Sequence, residues 1–173
     1  MKTKQRVDFA IDLSLCLIGI INILLGIVGF TNVKLLLVIV FGLYAMINLL
    51  QYVLTNKSQD YEGLYTFLAS LVLAIICFFI DLGKVNNLTI IVFAWVIMMS
   101  VIKFIKTDYY NDRKDKMWKI RIFTLITFIT VGVLSAISLN YDKNTQVLVL
   151  GYFFFIHGIL ELIDPLTKYL IGK

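Results

Sequence analysis

"LVLAIICFFI", residues Leu71 to Ile80, carries no charged side chain and no strong hydrogen-bonding group at any position. A strand in an outer-membrane barrel alternates between lipid-facing and lumen-facing residues with period two, and a helix on a soluble protein keeps a polar stripe. This stretch does neither. A segment apolar on every face is read as a helix surrounded by lipid and other helices. "INILLGIV", from Ile21, reads the same way.

Working outward, the stretch closes a charge-free window, Leu64 to Ile80, and five more follow the same plan: Leu13 to Phe30, Leu35 to Leu54, Val85 to Ile102, Ile122 to Leu139 and Asn144 to Leu160. Each is about the length a helix needs to cross roughly 30 Å of hydrocarbon at about 1.5 Å per residue. The composition agrees: 60% of the 173 residues are hydrophobic, 16% are charged, and one is proline. Soluble domains use roughly 45–50% apolar residues. The expected fold class is an all-α polytopic membrane protein, with six transmembrane helices arranged as three consecutive hairpin repeats. Residues 1–173 then form a single integral membrane domain with hairpins at about 10–54, 63–106 and 118–167. "MKTKQR" and the run behind it resemble a signal sequence, but the run ends in "GFTNVK" without a small-residue cleavage site, so it is read as a retained first helix.

Charge placement sets the orientation. Lys2, Lys4, Arg6, Lys57, Lys103, Lys106, Arg113, Lys114, Lys116, Lys119, Arg121, Lys168 and Lys173 fall on one side, and Lys34, Lys84 and Lys143 on the other. The positive-inside rule places both termini in the cytoplasm, in a multi-pass protein of the cytoplasmic membrane. The loop "KTDYYNDRKDKMWKIR" is basic and aromatic, yet Asp108, Asp112 and Asp115 dilute its charge. It reads as a topology signal with Tyr109, Tyr110 and Trp118 as interfacial anchors, not as a nucleic-acid surface. Cys16 and Cys77 lie inside spans without metal-type spacing, and neither a disulfide nor a metal site is expected from them.

The returning helices look alike. "FGLYAMINLLQ" from Phe41, "FAWVIMMSVIK" from Phe93 and "LGYFFFIHGIL" from Leu150 each place a small residue (Gly42, Ala94, Gly151) six positions before a polar one (Asn48, Ser100, His157). Separations of 52 and 57 residues between copies fit an internal duplication. The outgoing helices carry small residues seven apart, Gly19 with Gly26 and Ser70 with Cys77. Such pairs open a shallow groove for a neighbouring backbone, so Gly19, Gly26, Gly42, Gly151 and Gly158 are candidate helix-packing residues.

With "LIGIINILLGIVGF", "FGLYAMINLL" and "LGYFFFIHGILELI" in view, the whole chain resembles the bacterial HdeD family. It differs in turning its first hairpin through "FTNV" without proline and in carrying Ala94 and Ser100 where the family has glycines. The resemblance implies a six-helix inner-membrane protein built from a short repeat, with a role in acid or envelope stress, and it supplies no catalytic residues.

An ionisable group inside a span costs at least about 2.5–3.5 kcal/mol, so it should face protein, water or a partner. His157, Glu161 and Asp164 stand at i, i+4 and i+7, one stripe along the sixth helix. Asp12, Asn48, Gln51, Ser100 and Lys103 reach similar depth from other spans. If the hairpins close into a bundle these groups converge, with a Lys103–Glu161 ion pair and Asn48 hydrogen-bonded to His157 beneath it. Interhelical hydrogen bonding is one reading of the cluster, and a proton path is another. There is no HExxH, GxSxG, transmembrane aspartate pair or glycine-rich phosphate loop, so no catalytic residues, metal or cofactor are assigned. The expectation is a non-enzymatic membrane protein, with a small transporter or proton conductor and a membrane assembly protein as alternatives. Its partners would be membrane lipids, a second copy of itself or another membrane protein.

Overall fold

The computed structural model describes residues 3–55, 61–112, 114 and 117–171. Lys2, Lys57, Arg113, Asp115, Lys116 and Lys173, which carry part of the topology signal, lie outside them. The described residues form six helices and no strand: α1 (Thr3–Ile27), α2 (Val33–Thr55), α3 (Glu62–Phe79), α4 (Val85–Asp112), α5 (Met117–Ile137) and α6 (Lys143–Ile171). Each contains a stretch of 18 to 28 residues long and apolar enough to cross a membrane.

Side-chain placement makes the same point independently of hydropathy. Leu17, Leu24, Leu50, Phe79, Ile90, Phe123 and Leu134 are all exposed, while His157, Asn48, Arg121 and Asp12 are buried. A surface of this kind suits lipid. Buried hydroxyls complete the adaptation, because Ser70 and Thr107 each donate to the carbonyl four residues back on their own helix.

Local chemistry explains the turns within hairpins. Gly29 sits in the left-handed region at φ 86°. Its N–H donates to the Gly26 carbonyl (3.1 Å) and that of Phe30 to the Leu25 carbonyl (2.9 Å), a Schellman ending that closes α1 without proline. Three residues on, the Asn32 side chain accepts from the Leu35 N–H (3.0 Å) and caps α2. Asp142 caps α6 in the same way, accepting from the Thr145 N–H and hydroxyl. These turns lie at one end of the bundle, the turn end. The opposite end, where α1 begins and α6 finishes, is the terminal end.

The six helices close into a ring in chain order. Packing is most extensive between α1 and α6, α2 and α3, and α4 and α5, whereas the helices joined by these turns touch far less. The seam between α1 and α6 shows why. A Cβ on Gly19 would overlap the Phe155 backbone nitrogen, one on Gly151 would lie 2.6 Å from that of Ile23, and one on Gly158 2.5 Å from that of Cys16. Gly26 meets Leu148 in the same register. Two backbones in direct contact maximise dispersion, which with interhelical hydrogen bonds drives association in lipid. Gly42 is different: nothing lies within 4 Å of its Cβ position, so it is not a packing glycine despite its likeness to Gly151.

At the centre, Phe41, Tyr44, Trp95, Phe128, Phe153 and Phe154 are almost wholly buried. Their rings pack edge to face or tilted, with Phe41–Trp95 centroids 5.1 Å apart and Tyr44–Trp95 5.3 Å apart. This aromatic block separates the turn end from the terminal end.

Two helices run past their expected ends. α4 continues beyond the expected end near 106 to Asp112, and α6, with Pro165 inside it, continues beyond 167 to Ile171. Proline there removes one backbone donor, but Pro165 lines a polar cavity where water can serve the freed carbonyl of Glu161.

Candidate functional site: a blind polar chamber

On the terminal side of the aromatic block, side chains from all six helices turn inward. His157 is 1% exposed and forms the floor. Its Nδ1 is 3.0 Å from the Tyr44 hydroxyl and its Nε2 is 3.0 Å from Glu161 Oε1. A neutral imidazole satisfies both, donating from Nε2 to the carboxylate and accepting at Nδ1 from the phenol. The rings of Tyr44, Trp95, Phe128 and Phe153 enclose it, Phe128 nearest with centroids 4.7 Å apart.

One turn further out, Lys103 donates to the same Glu161 oxygen while lying 5.2 Å from the Phe128 ring centroid. Lys106 pairs with Glu62, and Arg121 with Asp164. Arg121 is 5% exposed, and its guanidinium lies 4.2 Å from the Tyr110 ring centroid. Gln51 donates to Asp8 at 2.9 Å. The cluster expected from helical spacing and depth therefore divides here: Glu161, Lys103, Asp164, His157, Asn48, Gln51 and Asp12 do come together around two small cavities.

Two expected details are corrected. Asn48 does not bond His157; its amide donates to the Tyr44 carbonyl on its own helix (2.8 Å), and Tyr44 takes the histidine instead. Ser100 donates to the Val96 carbonyl (2.6 Å) and lines neither cavity, so it leaves the cluster. Conversely Tyr44, Asp8, Glu62, Lys106 and Arg121 belong to it. The signal for the last four was charge at span ends, which reads equally well as headgroup contact.

The larger cavity, about 40 Å³, is lined from all six helices, by Asp8, Asp12, Asn48, Gln51, His157 and Glu161 among others. At about 10–15 Å³ per water it holds roughly three waters. A second cavity of about 20 Å³ lies behind Glu161 against Lys103 and Thr124. Arg121 and Asp164 line both cavities, and their Nε and Oδ1 are buried atoms without a partner among the described residues. At the turn end a separate, wide recess of about 330 Å³ is lined by Asn32, Lys34, Lys143 and Gln146. The aromatic block stands between the two ends.

Fold and site together define an integral, multi-pass membrane protein with a polar chamber entered from its terminal end. No family model, curated protein or solved structure matches the chain.

Proposed function

We propose that this chain is a non-enzymatic, proton-responsive membrane protein that admits protons from the terminal side to His157 and does not conduct them across the bilayer. The observation that carries the reading is the chamber's blind shape: about three waters' room, charged walls, and an imidazole floor sealed by aromatic rings. Histidine is the side chain whose ordinary charge change falls between about pH 5 and 8. The groups around it come from every helix: Asp12 from α1, Tyr44 and Asn48 from α2, Glu62 from α3, Lys103 and Lys106 from α4, Arg121 from α5, and Glu161 and Asp164 from α6. Positive-inside charge directs the chamber mouth to the cytoplasm. The resemblance to the HdeD family adds a physiological setting, acid or envelope stress. A small transporter is the second reading, favoured by recesses at both ends of the bundle.

Trp95 supplies the reporter, since its ring lies 6.2 Å from that of His157 and an imidazolium quenches indole emission. In a Trp118→Phe background, emission should fall as pH drops, and His157→Asn should abolish the transition. Liposomes carrying the protein should hold an imposed pH gradient. A flat fluorescence titration would overturn the proposal, and a collapsing gradient would replace it with transport.

A further inference from the structure

Among the described residues Lys103, Lys106 and Arg121 pair with Glu161, Glu62 and Asp164, and no ion pair reaches Asp8 or Asp12. Asp8 lies at the mouth, half-buried, and takes a hydrogen bond from Gln51. Asp12 lies one turn deeper, is 9% exposed, lines the cavity, and has no hydrogen bond or ion pair among the described residues. A carboxylate in so small a cavity without an ion pair is costly to keep charged, so the position takes up either a proton or a bound cation.

Neighbouring amides present the matching chemistry. Asn48 spends its nitrogen on the Tyr44 carbonyl and Gln51 on the Asp8 carboxylate. Both targets accept only, which fixes the amide orientation and leaves the carbonyl oxygens of Asn48 and Gln51 as acceptors. Carboxylate and amide oxygens form the donor set of a hard cation. Size and charge narrow the choice. One deep unpaired carboxylate matches a single positive charge, and room for roughly three waters is too little for a hydrated magnesium ion.

We infer that Asp12, with the amide oxygens of Asn48 and Gln51, binds a sodium-class monovalent cation inside the chamber. This rests on reading the chamber as open to the terminal side, and it makes sodium and protons competitors for that end of the molecule. The test is thermal unfolding of the purified full-length protein in sodium chloride against choline chloride at equal ionic strength. Sodium should raise the melting temperature saturably, and potassium should do so less. Asp12→Asn should remove the sodium shift, and Asn48→Ala should weaken it, while His157→Asn retains it. Equal melting of the wild type in sodium and choline would overturn the inference, as would a sodium shift that survives Asp12→Asn. Because the Trp95 titration is read separately, a sodium failure beside an intact pH transition overturns this site alone.

Discussion

Replacing Gly158 by alanine should be among the more damaging single-methyl changes in this protein. The added Cβ would lie 2.5 Å from the Cys16 backbone nitrogen, 2.8 Å from its Sγ and 2.9 Å from its Cα, where ordinary contact begins at 3.4 Å. No side chain can rotate away from a backbone nitrogen, so α1 and α6 must part by roughly 0.9 Å locally. A gap of about 0.5–1 Å forfeits a quarter to a half of the dispersion well for each atom pair it opens. Overpacking typically costs about 1–3 kcal/mol, and the upper half of that range is expected because separation also loosens Gly151 and Gly19. Alanine's better helix propensity, worth up to about 1 kcal/mol, offsets only part of it.

Gly42→Ala is the internal control, since open space surrounds that Cβ. It should leave stability unchanged or raise it slightly. Reversible unfolding in mixed micelles, followed by tryptophan emission, measures both variants on one scale. Equal stability of Gly158→Ala and wild type, or equal loss in the two variants, would refute the argument that backbone contact along this seam holds the ring closed.

Glu161→Gln strips the anion from Lys103 and His157 together, and breaking a buried pair costs about 3–5 kcal/mol; the same unfolding assay should show a loss of that order, recovered only in part in Lys103→Met/Glu161→Leu, which leaves the His157 Nε2–H without its acceptor. Arg121→Lys should destabilise nearly as much as Arg121→Met, because an ammonium cannot reproduce both the Asp164 pairing and the planar contact with Tyr110, and melting temperatures compare them directly. At the turn end, hydrogen bonds from the Thr145 hydroxyl and N–H hold the Asp142 carboxyl below its ordinary pKa. A group with a lowered folded pKa stabilises fully above its unfolded pKa of about 3.9 and loses that contribution as pH falls through the folded value. Asp142→Ala should therefore melt lower than wild type near neutral pH, and the difference should shrink in acid.

How much of the fold and chamber is legible in the sequence follows from what each signal depends on. The six spans are legible because a helix apolar on all faces needs no knowledge of its neighbours. For the same reason hydropathy cannot fix each helix's rotation, and rotation decides which residues meet. Gly42 and Gly151 occupy matching places in matching sequences, yet only Gly151 faces another backbone. Short turns suggest that hairpin partners pack best, but the small residues face across to the neighbouring hairpin. His157, Glu161 and Lys103 can be grouped from depth and helical spacing alone. Arg121 and Lys106 cannot, since a cation near a span's end snorkels to headgroups unless an acid on another helix draws it inward. The expected ends of α4 and α6 fall a few residues short because charges mark a boundary only when nothing inside the bundle satisfies them.

Seam and chamber are consecutive parts of one interface. From the turn end, Gly26 meets Leu148, Ile23 meets Gly151, Gly19 meets Phe155 and Cys16 meets Gly158. Each step moves three or four residues back along α1 and as many forward along α6, so the next step brings Asp12 beside Glu161 and the one after brings Asp8 beside Pro165. All four line the chamber. The helices touch where one partner in each pair is glycine, and the cavity begins where glycine gives way to acids whose side chains need room. His157, adjacent to Gly158, sits at that change from dry contact to wet space. Spreading the seam at Gly158 should therefore admit water around His157 as well as weaken the ring, so a Gly158→Ala protein that still folds should show an altered Trp95 pH transition. An unaltered transition would mean that the aromatic block alone sets the environment of the histidine.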